Sequence, residues 1–134
     1  MKIPSDVSYI KKVSSEIEAF LKSANVKSSI RFDIRLAVEE AVKNSIIHGN
    51  KKNKELPVVI TYLLEGGKFT IEIEDRGMGF KPEKVPDPTH TKNLTKAGGR
   101  GVFLIMKLMD EAKYNDRGNK VFMVKFINDK KGER

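Results

Sequence analysis

Glu40 and Asn44 stand at i and i+4 in the segment Glu40-Ala41-Val42-Lys43-Asn44, the spacing that stacks two side chains one turn apart on a helix. Such a pair suits a nucleotide site. An amide oxygen can ligate Mg²⁺ among phosphates and waters, and a carboxylate can orient or deprotonate an attacking hydroxyl. The same pair also occurs on ordinary exposed helix faces, so spacing alone leaves both readings open. A second candidate is Asp75-Arg76-Gly77-Met78-Gly79, directly after an alternating apolar segment. A carboxylate at a strand end can accept a hydrogen bond from an exocyclic amine such as that of adenine, and Gly77 and Gly79 would let a ligand approach the backbone. A simple turn has the same composition. The third is Gly98-Gly99-Arg100-Gly101, just ahead of the apolar stretch Val102 to Met109. Free N–H groups and the positive dipole end of a helix could face phosphates there, with Arg100 adding charge. A flexible hinge leading into a helix is the alternative.

The elements that must position these groups follow from periodicity. Ser5 or Asp6 can cap a helix to about Ser23, with Val7, Ile10, Val13, Ile17, Phe20 and Leu21 at helical spacing. A stronger pattern runs from about Ser29 to Gly49, with Ile34, Val38, Val42 and Ile46 as its i, i+4 stripe and Gly49-Asn50 as its stop. Glu40, Asn44, Ile47 and His48 border that stripe. Val58 to Leu64 and Lys68 to Glu74, joined by Glu65-Gly66-Gly67, read as an antiparallel hairpin. Phe80 to Lys96 holds Pro82, Pro86 and Pro88 and reads as a long irregular loop. Helical character resumes over Val102 to Asp110. Ala112 to Tyr114 and Val121 to Phe126 suggest a closing strand pair, and residues 128–134 a polar tail. This order predicts an α+β two-layer sandwich. It lacks the alternating parallel pattern of a Rossmann fold and the GxxxxGK[ST] of a P-loop.

Composition narrows the function classes. A chain of 134 residues suits one domain, with 39% hydrophobic and 33% charged residues. No apolar run approaches the roughly 18 residues of a membrane span, and no secretory signal opens the sequence, so a cytoplasmic protein without membrane partners is expected. The absence of cysteine removes disulfides, thiolate catalysis and Cys-based zinc sites. The net charge of +8 raises nucleic-acid binding. However, Lys51-Lys52-Asn53-Lys54 and Lys130-Lys131 are short loop and tail runs without aromatic residues for base stacking, so no specific nucleic-acid partner is expected.

Taken together and in this order, the three segments resemble the N box and the two glycine boxes of the GHKL ATPase superfamily, over about Ile30 to Phe126. Glu40-Ala41-Val42-Lys43-Asn44, Ile46-Ile47-His48-Gly49, Asp75 to Phe80, Pro86-Asp87-Pro88 and Gly99 to Glu111 look most like the bacterial anti-sigma-factor serine kinases. The resemblance implies a Bergerat-type ATP-binding fold over residues 1–134, its mainly antiparallel mixed sheet covered on one face by helices. It implies ATP and Mg²⁺ as ligands, Glu40 as catalytic base, Asn44 as Mg²⁺ ligand and Asp75 as the adenine-reading carboxylate. Gly77 and Gly79 match the first glycine box, and Gly99, Arg100 and Gly101 the phosphate-facing second. Residues 80–98 match the ATP lid, with Thr89, Thr91 and Lys92 as candidate phosphate contacts. His48 lies in the family's HG pattern and reads as a packed or capping residue. The implied activity is transfer of phosphate to a serine of a STAS-type anti-anti-sigma protein by a chain that also holds a sigma factor. An ATP-binding module that sequesters a partner without kinase activity would share these motifs. The catalytic part of a sensor histidine kinase fits less well, because the sequence has no phospho-acceptor helix pair. Homodimerisation in the resembled family uses a strand ahead of the first helix, and only Met1 to Ile3 precede Pro4 here.

Overall fold

The computed structural model describes residues 1–77 and 99–127. The candidates Gly79, Thr89, Thr91 and Lys92, with the rest of residues 78–98 and the tail 128–134, lie outside the described residues.

The chain opens with a strand where the sequence offered little to make one. Strand β1 (Lys2–Pro4) pairs antiparallel with the start of β2 (Pro57–Glu65), Ile3 opposite Val58. Ile3 is buried, so three residues suffice because one of them reaches the core. Pro4, which has no N–H, ends the strand opposite Pro57. Asp6 then caps a 3₁₀ turn (Val7–Tyr9), accepting from the Ser8 amide at 3.0 Å. Helix α1 (Ile10–Ser23) follows, burying Val13, Ile17 and Leu21 on one stripe. Its end is a Schellman arrangement. Asn25 adopts φ 63°, its amide donates to Lys22 O at 3.0 Å, and the Val26 amide donates to Leu21 O at 3.1 Å.

Helix α2 (Ser28–Asn44) buries Ile34, Ala37, Val38, Ala41 and Val42, and runs on through a wider π turn (Ser45–Gly49) closed by the Asn50 amide on Ser45 O at 2.8 Å. Each fully buried Ile or Val side chain among them contributes roughly 1.5–3 kcal/mol. The helical run stops at Gly49-Asn50, as the sequence suggested, but without a left-handed residue there. The positive φ values fall later, on Lys51 (53°) and Lys52 (60°).

Strand β2 turns into β3 (Lys68–Glu74) through Gly66 (φ 60°) and Gly67 (φ 74°), two consecutive left-handed residues whose twist matches that of the strands. Helix α3 (Gly99–Leu108) leads into β4 (Glu111–Tyr114) and β5 (Lys120–Phe126). The sheet order is β1-β2-β3-β5-β4, and all four pairings are antiparallel. The α+β sandwich is therefore observed, with no parallel pair among the described strands. Ile60, Phe69, Ile71, Ile73, Val121 and Met123 line the sheet face under the helices. Phe69 also meets the ring of Tyr62, which in turn meets Phe20 of α1 edge-on at 5.0 Å. Lys125, on the same face as Phe69, reaches Asp33 Oδ2 of α2 at 3.2 Å and donates to Leu108 O at 2.6 Å. It thus joins β5 to α2 and to the last turn of α3.

Candidate nucleotide site

Glu40 and Asn44 lie where the buried stripe of α2 meets solvent, both partly exposed. The first turn of α3 packs over them. A Cβ added to Gly101 would stand 2.6 Å from Asn44 Nδ2 and 2.7 Å from Glu40 Oε2, closer than real Cβ atoms come. Of the two readings the sequence left open for the second glycine segment, a helix start and a hinge, the structure shows the helix start. Gly99, Arg100 and Gly101 form the helix's opening turn, and the missing side chain of Gly101 leaves a cradle above the carboxylate and the amide. The first turn of a helix can present backbone N–H groups to an anion. Glu40 Oε2 also lies 3.5 Å from Lys43 Nζ, an exposed i, i+3 ion pair.

Asp75 begins where β3 ends, and it is buried at 5% exposure. Its amide donates to Asn119 O at 2.8 Å, and Asn119 Nδ2 donates back to Asp75 O at 2.9 Å. Its Oδ1 accepts from the Gly77 amide at 2.8 Å, and the Ser45 hydroxyl also hydrogen-bonds the carboxylate. Burial pushes the Asp75 carboxyl above the usual range. The Gly77 and Ser45 bonds and the Arg117 charge oppose that rise, while Glu74 adds to it. Arg117, in the β4–β5 turn, donates to Gly77 O at 3.0 Å.

The two glycines beside this carboxylate act by close approach. A Cβ on Gly49 would collide with the Asp75 carboxylate, and one on Gly77 would collide with the Gly49 carbonyl. The HG of the N box, the Asp75 turn and the first glycine box thus meet as one contact. The Tyr114 phenol is pushed up to about 12, chiefly by burial and then by the negative charges of Glu40 and Asp75.

The structure therefore brings Glu40, Asn44 and Gly101 together, and separately Asp75, Gly77 and Gly49. Gly99 and Arg100 are placed by their backbone in the first turn of α3. His48 is exposed on the π turn rather than packed. Ser45, Asn50, Asn119, Tyr114 and Arg117 were not singled out from the sequence. Each is polar at a helix end or turn, and what marks it out is a partner distant in the chain. Among the described residues no group of three or more His, Cys, Asp or Glu could hold a metal, and no helix is long and apolar enough to cross a membrane.

Known proteins resemble this chain in sequence and in fold. The sequence profile of the histidine kinase-like ATPase domain matches residues 3–125. The serine-protein kinase RsbW of Listeria monocytogenes serovar 1/2a is 30% identical over 140 residues, covering 99% of this chain and 89% of the relative. Its namesake from Staphylococcus epidermidis is 28% identical over 135 residues, with 95% and 85% covered. Among solved structures, the RsbU and RsbW domains of a Mycobacterium tuberculosis protein superpose with a TM-score of 0.63 at 16% identity, over 92% of this chain and 30% of that one. The histidine kinase domain of an Erythrobacter litoralis blue-light activated kinase superposes with a TM-score of 0.58 at 18% identity, over 96% and 64%. These structures show the fold, and the profile together with the Listeria relative shows the lineage: this chain belongs to the histidine kinase-like ATPase domain family, in the company of the RsbW serine-protein kinases.

Proposed function

We propose that this chain is a Mg-ATP-dependent serine protein kinase that works as a cytoplasmic anti-sigma factor or related partner-switching regulator, with a STAS-type anti-anti-sigma protein as its phosphate acceptor. The observation that carries the proposal is the packing of the first turn of α3, at Gly101, directly over Glu40 and Asn44. That contact sets a proton acceptor and a metal-ligating amide beneath a helix N-terminus suited to phosphates.

In the proposed reaction Glu40 accepts the proton of the acceptor serine as its Oγ forms a bond to the γ-phosphorus of ATP. The bond from that phosphorus to the β-phosphate bridging oxygen breaks, and ADP leaves with the electron pair. The backbone N–H groups of Gly99, Arg100 and Gly101 take charge developing on the phosphates. Asn44 would hold Mg²⁺ through its amide oxygen, and a donor set of one amide suits a metal that arrives on nucleotide phosphates rather than in an all-protein cage. Mg²⁺, when bound, neutralises phosphate charge. Asp75 accepts from the adenine amine, with Gly49 leaving room for its carboxylate and Gly77 for the Gly49 carbonyl. Gly79, Thr89, Thr91 and Lys92 complete the set on the phosphate side as the family resemblance implies. The open edge of β1 is the place for a second copy to pair.

The test is phosphotransfer from labelled ATP to a serine of a STAS-domain protein encoded beside this gene, read by mass spectrometry. One phosphoserine on the partner is expected. ATP binding and partner capture with no phosphate gained would instead favour a sequestering module that shares the pocket. Gly101→Ala separates the site from the fold. Alanine suits a helix better than glycine by roughly 1 kcal/mol, and the atoms in its way are the mobile ends of Asn44 and Glu40. Thermal stability should hold or rise, while phosphotransfer falls about 10- to 100-fold because the displaced groups are the reacting ones. A parental rate would show that the contact is not part of the reactive geometry.

A further inference from the structure

Asn50 is 1% exposed and spends its whole side chain inside the molecule. Its Nδ2 lies 2.9 Å from Ser5 Oγ, 3.2 Å from Leu56 O and 3.0 Å from Pro57 O. Its Oδ1 accepts from the Arg76 amide at 2.8 Å. One side chain therefore joins the residue after β1, the end of α2, the start of β2 and the turn that carries Asp75. Ser5, itself fully buried, closes the knot by donating to Leu56 O at 2.6 Å.

The Arg76 amide lies between the two groups that define the adenine end of the site. Asp75 is held from one side by Asn119 through its own amide and carbonyl. The Gly77 amide folds back onto Asp75 Oδ1. Between these, the Asn50 bond to Arg76 sets the direction in which the turn leaves the strand. The bond is partly buried, so removing Asn50 takes away the partner that holds the Arg76 amide and lets the turn relax. The Gly49 backbone, adjacent to Asn50, is also what Gly77 abuts.

We propose that Asn50 is a positioning residue for nucleobase recognition: through the Arg76 amide it fixes the Asp75 carboxylate at the spot where it meets the amine of adenine. This rests on the reading of Asp75 as the adenine-binding group. A merely structural knot predicts lost stability with no change in preference among nucleotides, whereas a positioning role predicts a loss confined to the amine contact.

The experiment measures equilibrium binding of ATP and of purine riboside triphosphate, which lacks the 6-amine, to the full chain and its variants. The parent and Asp75→Asn come first, and Asp75→Asn should abolish the preference for ATP. Asn50→Ala should then weaken ATP about tenfold and the amine-free analogue less than about threefold, the scale of one misplaced buried hydrogen bond. Asn50→Ala combined with Asp75→Asn should lose no more preference than Asp75→Asn alone. Ser5→Ala, a milder loosening of the same knot, should shift the preference in the same direction and serves if Asn50→Ala does not fold. Parental preference in the folded Asn50→Ala or Ser5→Ala protein, after loss in Asp75→Asn, overturns the proposal alone. Parental preference in Asp75→Asn removes the adenine role of Asp75 and the proposal with it.

Discussion

Glu40→Gln is expected to bind ATP within about twofold of the parent and to transfer phosphate about two to four orders of magnitude more slowly, the usual contribution of a positioned general base. The reason lies in what the substitution leaves alone. Gln has nearly the shape of Glu, so the cradle under Gly101 and the approach to Asn44 persist, and only the ability to take a proton is lost. The ion pair with Lys43 is lost as well, but Lys43 is about half exposed and such pairs contribute little to stability. Single-turnover phosphotransfer at saturating ATP, with nucleotide affinity measured separately, divides the two quantities. A variant that transfers at the parental rate would mean that another group takes the serine proton. Glu40→Asp gives a further check. It keeps the charge but draws the carboxylate back by one methylene, and a rate between those of parent and Gln is expected.

The second large effect is expected at Gly49→Ala. In open surroundings this change would help the helix end, because alanine carries less conformational entropy to lose than glycine. Gly49 does not have a left-handed φ, so its backbone tolerates a side chain. The obstacle is tertiary: the new methyl would overlap the buried Asp75 carboxylate. Either that carboxylate swings off its bonds to Gly77 and Ser45, or the π turn moves away from β3. Overpacking of this kind typically costs about 1–3 kcal/mol, which in a domain of this size lowers the melting temperature by roughly 2–8 °C. ATP affinity should fall more than tenfold, because the displaced group is the one assigned to adenine. Calorimetric melting with nucleotide titration checks both. An unchanged or raised melting temperature with parental affinity would refute the close approach.

Both substitutions change glycine-box or N-box residues that were visible in the sequence, yet their physical reasons came from different levels. Glu40 and Asn44 were readable because helix geometry follows from local spacing, and a stripe running from Ile34 to Ile46 fixes which side faces the core. The β2–β3 hairpin was readable for the same kind of reason, since Gly66 and Gly67 report a turn type directly. Asp75 was readable as a strand end. Gly49 looked like a helix stop, and its role as a clearance for Asp75 depends on a contact 26 positions along the chain, beyond any local pattern. Strand β1 was missed because three residues carry no periodicity. Its identity comes from pairing with Val58 and Val59, more than fifty residues later.

The polar groups around the Asp75 turn illustrate the same limit. Ser45 sits in a helix, Asn119 in a tight turn and Asn50 at a helix cap, all places where such residues are common for local reasons. Nothing in their neighbourhood along the chain distinguishes them. They matter because the antiparallel sheet sets the β4–β5 turn beside the end of β3, and because α2 ends above that strand. Local sequence thus determined the elements, the alternation that buries one sheet face, and the order of the three motifs that marks the family. Only the tertiary structure decided that the second glycine segment is the first turn of a helix packed over Glu40 and Asn44, that Gly49 and Gly77 meet beside Asp75, and that Asn50 bonds the amide that follows Asp75. The physical reason is one of range. Periodicity and turn chemistry act over a few residues, whereas a binding site is made by hydrogen bonds and close contacts between segments that meet only once the core has formed.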